Sequence, residues 1–227
     1  MKKILLIFTL LLFTNISFAQ YSWTKAEVTL KNGTVLVGEA FISMTSAGIN
    51  IGSKEKLRFR KNKKAKGKNS KYLPAEVEQV IFTVTYKEKV GKKKVEKTRK
   101  EKYAPIYLNK KQTKLGFAEL IVDGSMKLVG RTVSVNSGGR TWSAGTPYSA
   151  PVYTYDFGFL SNHNQVMFLK DGMKPEVFNQ VSLLKSFKNR AKKFFEDCPA
   201  LVGKIENKIF KKEDLIAIAE FYNSNCN

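Results

Sequence analysis

Few residues in this 227-residue chain are of the types that carry out chemistry, and they are thinly spread. There is one histidine, His163, and there are two cysteines, Cys198 and Cys226, which leaves almost no room for a His/Cys metal centre and points to no cofactor. A nucleophilic thiol would have to use His163 as its base, because the chain has no other histidine. That histidine falls in the polar run Ser161-Asn162-His163-Asn164 and reads as a turn residue. No Gly-x-Ser-x-Gly elbow, phosphate loop, HExxH or CxxC occurs. Ser137–Gly139 and the Gly/Ser/Pro-rich run through Ala150 read as a flexible loop, not a phosphate cradle, since no helix start follows. Carboxylate pairs such as Glu27/Glu39 or Asp156/Asp171 are of the kind glycoside hydrolysis uses, but spacing alone does not set two carboxylates across one bond.

Charge is better represented than catalysis. Lys+Arg number 40 against 19 Asp+Glu, a net charge of +21. The excess is regional: residues 54–114 hold 22 basic and 6 acidic residues. Its densest part, 58–71, contains Arg58, Arg60, Lys61, Lys63, Lys64, Lys66 and Lys68; with no apolar periodicity after Phe59, it reads as a mobile basic loop. A second part, 87–102, alternates Lys and Glu around Lys92, Lys93 and Lys94. On one face the two would form a surface that attracts polyanions. Lysine outnumbers arginine 34 to 6, and specific phosphate or base recognition favours the planar arginine fork, so the expected attraction is non-specific. The partners this implies are anionic lipid headgroups, lipopolysaccharide or acidic polysaccharide; the plainer alternative is a solvated surface. Nucleic acid is disfavoured, because neither a recognition helix nor a pattern of stacking aromatics is present.

Residues 1–19 read as a signal peptide: Lys2 and Lys3 precede an apolar run from Ile4 to Phe13, and Ser17 and Ala19 fit a cut before Gln20. The apolar run is too short for a bilayer core, which takes about 20 residues, and no later run is longer. No cysteine follows within reach of the cut to carry a lipid. Export to an oxidising compartment, periplasmic or extracellular, predicts a Cys198–Cys226 disulfide. Closing that loop would stabilise the fold by about 3–4 kcal/mol in the chain-entropy model.

The elements that must position these residues are legible in part. Alternation over residues 26–60 predicts short strands, with Asn32-Gly33 fitting a type I′ hairpin turn. Val77–Tyr86 is a strand by propensity; Glu96–Tyr103 can return antiparallel across a turn near Gly91, giving a projecting hairpin with two solvated faces. Asp123-Gly124 predicts a further hairpin, and strands are expected at Val152–Phe159 and Gln165–Leu169. After Pro175 the period turns helical, with Val181, Leu184, Phe187, Ala191 and Phe195 on one face as an aromatic core stripe. Asp197 before Cys198-Pro199 reads as a helix-capping carboxylate, and a last helix is expected from about Glu213 to Tyr222.

Three further stretches stand out: Val-Thr-Leu-Lys-Asn-Gly-Thr-x-x-x-Gly from Val28 to Gly38, Tyr72-Leu-Pro-Ala-Glu-Val-Glu-Gln-Val-Ile-Phe82, and a tail that is the most specific of the three. The tail reads Phe195-Glu-Asp-Cys-Pro-Ala-Leu, then Phe210-Lys-Lys-Glu-Asp-Leu, then Phe221-Tyr-Asn-x-x-Cys226. Together they resemble a family of secreted Bacteroidota proteins of unknown function. The resemblance covers most of the chain after the leader and implies export and a β-rich body with a helical tail. It brings no activity and no catalytic residues.

The expected architecture is α+β: an antiparallel sheet or barrel-like body over 20–172, then a helical tail over 173–227. The expected role is that of an exported, non-enzymatic envelope protein whose Lys-rich surface attaches to anionic components. Two alternatives stand beside it: an envelope glycan hydrolase, and an interaction subunit that offers the hairpin 80–103 to a partner strand.

Overall fold

The computed structural model describes residues 23–43, 55–64, 69–132, 163, 165–179 and 186–226. The leader 1–19, Lys66, Lys68, the run from Ser137 to Ala150, the strand expected at Val152–Phe159 with its Asp156, and Val181 and Leu184 lie outside the described residues.

The fold is α+β. Ten strands form one antiparallel sheet: β1 (Thr24–Leu30), β2 (Val35–Ser43), β3 (Lys56–Arg60), β4 (Ser70–Tyr72), β5 (Val77–Val90), β6 (Lys93–Tyr107), β7 (Leu115–Val122), β8 (Met126–Arg131), β9 (Gln165–Lys170) and β10 (Glu176–Val177). Their order is β10-β9-β8-β7-β6-β5-β1-β2-β3-β4, so the chain meanders except where β5 returns to pair with β1. Three helices follow: α1 (Phe187–Phe194), α2 (Pro199–Glu206) and α3 (Leu215–Asn225).

The turns show which local signals set the register. Between β1 and β2 only Gly33 has positive φ, at 82°, whereas a type I′ turn needs it at both central residues. The Gly33 N–H donates to Leu30 O at 2.9 Å and the Leu30 N–H to Thr34 O at 2.9 Å. The expected type I′ turn is therefore a three-residue loop ending in a left-handed glycine, and the Asn32 side chain braces it by accepting from the Thr34 N–H at 3.0 Å. Gly91 (φ 62°) opens the two-residue turn joining β5 to β6.

The inner face of the sheet carries two cores side by side. Over β1–β5 the strands curl around Val28, Ala40, Leu57, Val77, Val80 and Phe117. Over β7–β9 the face is covered by the helices, which place Phe194, Phe195, Leu201, Ile218 and Tyr222 on Leu128 and Phe168. The aromatic stripe of the tail is core, as its spacing predicts, although β10 occupies the chain directly after Pro175 where a helix was expected. Asp197 does not cap α2: Cys198 is the N-cap residue and makes no side-chain cap bond. The Asp197 carboxylate accepts instead from Lys170 Nζ and Tyr222 Oη, each at 2.5 Å, tying the sheet to α3. Cys198 and Cys226 form the expected disulfide, Cα to Cα 5.4 Å, joining the start of α2 to the end of α3.

Asn223 fixes the helical layer to the β7–β8 turn. Its Oδ1 accepts from the Met126 N–H at 2.9 Å and its Nδ2 donates to Met126 O at 2.9 Å, so the side chain pairs with the strand end as a backbone would. A Cβ on Gly124 would lie 2.3 Å from Asn223 Nδ2, which is why the Asp123-Gly124 turn takes glycine there.

Candidate functional site

β5 and β6 are far longer than their neighbours. β1 pairs with β5 only over Val77–Phe82, and β7 with β6 only over Tyr103–Tyr107. Thr83–Val90 and Lys93–Lys100 therefore pair with each other alone, a two-stranded ribbon extending about 25 Å past the sheet at about 3.3 Å per residue. Residues 83–100 carry eight basic and two acidic residues.

The register assigns the ribbon's two faces. Cross-strand pairs put Lys87, Lys94, Lys100 and Lys102 on one face with Thr83, Thr85, Glu96 and Thr98. The other face bears Val84, Tyr86, Val90 and Val95, with Lys93, Lys97 and Arg99 among them. Arg99 lies over the Tyr86 ring at 5.6 Å and Lys97 pairs with Glu88 at 2.6 Å, while Val90 and Val95 stay exposed. Lys92, Lys93 and Lys94 sit exposed at the tip.

The other expected basic segment is divided by the fold. Arg58 and Arg60 lie in β3, not in a loop, and Lys71 lies in β4 opposite Arg58. Arg58, Lys61, Lys63 and Lys64 are exposed. Arg60 is committed elsewhere: it pairs with Glu39 at 2.6 Å and stacks on Trp23 at 4.3 Å. The segment is not brought beside the ribbon tip, because β3 runs parallel to β1 toward Lys61 while β5 runs antiparallel to β1 toward Val90. The two basic segments leave the sheet at opposite ends.

Between the two inner cores runs a line of buried polar groups that sequence reading did not find. Glu119 lies in β7 between Phe117 of one core and Ile121 of the other. It meets His163, Nε2 to Oε2 at 2.6 Å, and the imidazole Nδ1 lies 3.2 Å from Thr132 Oγ1. His163 is 2% exposed and does not sit in a solvated turn as expected. The ring lies flat on β8 because residue 130 is glycine; a Cβ there would lie 2.0 Å from His163 Cδ2. Asn179 holds the backbone of the same segment, donating to His163 O at 3.3 Å and accepting from the Val166 N–H at 2.8 Å.

Glu101 and Tyr103 of β6 complete the line. Burial, then the nearby Glu119, pushes the Glu101 carboxyl above its ordinary value, against the pull of Arg99. Burial first, and then Glu119 and Glu101, raises the Tyr103 phenol well above its usual range. At the end of β8, Arg131 pairs with Glu55, whose other oxygen accepts from the Phe117 N–H at 2.9 Å. Burial pulls Arg131 down and Glu55 opposes it. This pair closes the curl, joining the start of β3 to β7 and β8. Glu119 offered one signal in the sequence, as a lone acid within Phe117-Ala-Glu-Leu-Ile121; Glu55, Glu101 and Arg131 offered none.

A cavity of about 370 Å³ opens on the other face of the sheet, floored by Ala104, Ile106, Ala118, Leu120 and Val129. It exists because the cross-strand pair Ala104–Ala118 leaves a hollow between larger neighbours. Lys102 and Lys127 stand at its rim with Asp123, whose carboxyl is lowered chiefly by the 2.6 Å bond from Lys127 Nζ. Asp171 also lines it, while Glu27 and Glu39 lie on β1 and β2, Glu39 held by Arg60. Among the described residues, no group of three His, Cys, Asp or Glu side chains is placed to hold a metal ion, and no helix is long and apolar enough to cross a membrane. No protein-family model, curated protein or solved structure matches the chain.

Proposed function

We propose that the chain is an exported, non-catalytic envelope protein that attaches to anionic lipid surfaces through the β5–β6 ribbon. The observation that carries this reading is the ribbon itself: about 25 Å of strand pair with no sheet neighbour, bearing eight cations and two anions. Lysines near an anionic bilayer each contribute about 1 kcal/mol, so the tip trio Lys92, Lys93 and Lys94 accounts for roughly 100-fold in affinity. The exposed Val90 and Val95 among these lysines favour a bilayer over an acidic polysaccharide, which offers no apolar phase. The leader read from the sequence and the disulfide support export.

The hydrolase alternative is weakened by placement. A general acid needs a raised carboxyl facing a cleft, yet Glu101 is buried on the inner face and the cavity opens on the outer one. Strand addition to the ribbon edges is opposed by the lysines along them, which discourage edge pairing.

The test is flotation of the chain from Gln20 with phosphatidylglycerol-containing and with neutral vesicles across a salt series. Binding restricted to anionic vesicles, falling steeply with salt and weakened on the order of 100-fold in Lys92→Gln/Lys93→Gln/Lys94→Gln, is expected. Equal binding of wild type and variant would remove the ribbon from the mechanism. Tighter binding to a soluble acidic polysaccharide than to vesicles would change the partner class.

A further inference from the structure

We infer that the protein bridges two anionic lipid surfaces, one at each end of its sheet; this rests on the lipid attachment proposed above. The ribbon is only one of two basic tips. Arg60 is level with Glu39 and Lys25 across the sheet, and Ala26 with Phe82, so Lys25 stands beside the point where the ribbon departs. From that level β3 leads one way into Lys61, Lys63 and Lys64, and β5 leads the other way to Val90 and the tip lysines. Counting the register from Arg60, beside one trio, to Lys93, within the other, gives seven residues, about 23 Å along the strand direction. None of the six makes an ion pair with a described residue.

Distance and direction make these tips separate sites. The outer face between them is itself basic, with Lys56, Arg58, Lys71, Lys100 and Lys102 beside Glu27 and an Arg60-bound Glu39, so what divides the tips is their separation and not a change of charge. A span of about 23 Å is about three Debye lengths at physiological ionic strength, where screening acts within about 8 Å. Each tip therefore meets its own surface with little influence from the other, and two like-charged bilayers held at that distance repel one another weakly. One protein of this shape links two vesicles where a single basic patch would coat one.

The experiment measures bound fraction by flotation and vesicle clustering by light scattering on the same samples, using phosphatidylglycerol-containing vesicles and limiting protein whose monomeric state is checked by sedimentation. The wild type is expected to bind and to raise the mean particle size several-fold, reversibly with added salt. The Lys61→Gln/Lys63→Gln/Lys64→Gln variant, compared at a vesicle concentration where it is fully bound through the ribbon, is expected to lose the clustering. Binding of the wild type without clustering, or clustering that persists in the fully bound variant, overturns the bridge and leaves the attachment standing. Absence of binding by the wild type overturns both.

Discussion

Glu88 and Glu101 lie on the same face of the same strand pair, each with a cation beside it, yet they experience different solvents. At the tip, Glu88 holds Lys97 in water, where an ion pair gives little because both partners are already solvated. At the root, Glu101 is 9% exposed behind Phe82, and its carboxyl is raised despite Arg99. One ribbon thus passes from core to solvent within a few residues, with no change in the kind of side chains it carries. The lesson is that charge in this protein meets two environments: inside, it closes and aligns the sheet, and outside, it stays in solvent.

The strongest way to break the inner half of that comparison is to strand one of its charges. Arg131→Met takes the guanidinium away from the buried Glu55 carboxylate and is expected to cost about 3–5 kcal/mol in urea unfolding. Adding Glu55→Gln should recover much of the loss, which marks the penalty as one of buried charge and not of a missing contact. Comparable in size is the tail clip. Cys198→Ser/Cys226→Ser opens a 28-residue loop and should lose about 3–4 kcal/mol, read as a lower urea midpoint with a somewhat steeper slope, because the uncrosslinked unfolded chain exposes more surface. A smaller loss, about 2–3 kcal/mol, is expected for Gly130→Ala, whose new methyl displaces the His163 ring from Glu119. The histidine's proton resonances should shift in that variant while the ribbon's do not.

These inner contacts are the part that the sequence did not disclose. The hairpin at Gly33, the turn near Gly91 and the Cys198–Cys226 pair are readable because each depends on a residue type with a local or compartmental meaning. Glu55–Arg131 and Glu119–His163 join residues 76 and 44 apart, and nothing in a local window shows that the strands carrying them will meet. Glu101 is the sharper case. Within Lys97-Thr-Arg-Lys-Glu-Lys-Tyr103 it is indistinguishable from the solvated acids of the ribbon, and only the end of β1 pairing at Phe82 decides which acids are buried. For the same reason the two basic segments were legible as charge but not as opposite ends, since strand direction is a property of the assembled sheet.

The root and the tip should also differ in pH response. A carboxyl raised by folding binds its proton more tightly in the native state. Its contribution is therefore full below the ordinary value of 4.5 and is lost as pH rises through the raised one. Glu101→Gln should remove that loss, so the stability difference between variant and wild type moves in the variant's favour as pH increases upward from 4.5. Lys97 is raised by the bond it donates to Glu88, so its own window lies above 10.5, and Lys97→Gln should give an unchanged profile between pH 5 and 8. Thermal unfolding at three pH values separates the two.

The smallest expected effect on stability is the most informative about function. Val84 is directly opposite Arg99, so joining them through an Asn-Gly turn removes residues 85–98 without altering the register of Phe82 with Glu101 or of Val80 with Tyr103. None of the excised residues belongs to a buried cluster, and the Phe82–Tyr103 ring contact at 5.3 Å remains at the root. The shortened chain should unfold within a few degrees of the wild type, because the stability of the body resides in the curl and the helical layer. Anionic-vesicle binding should fall by at least as much as in the triple-lysine tip variant, since the excision also takes Val90 and Val95. A shortened chain that melts far below the wild type would show that the ribbon is part of the folding unit, and the division between an inner, structural charge and an outer, available one would have to be redrawn at a different residue.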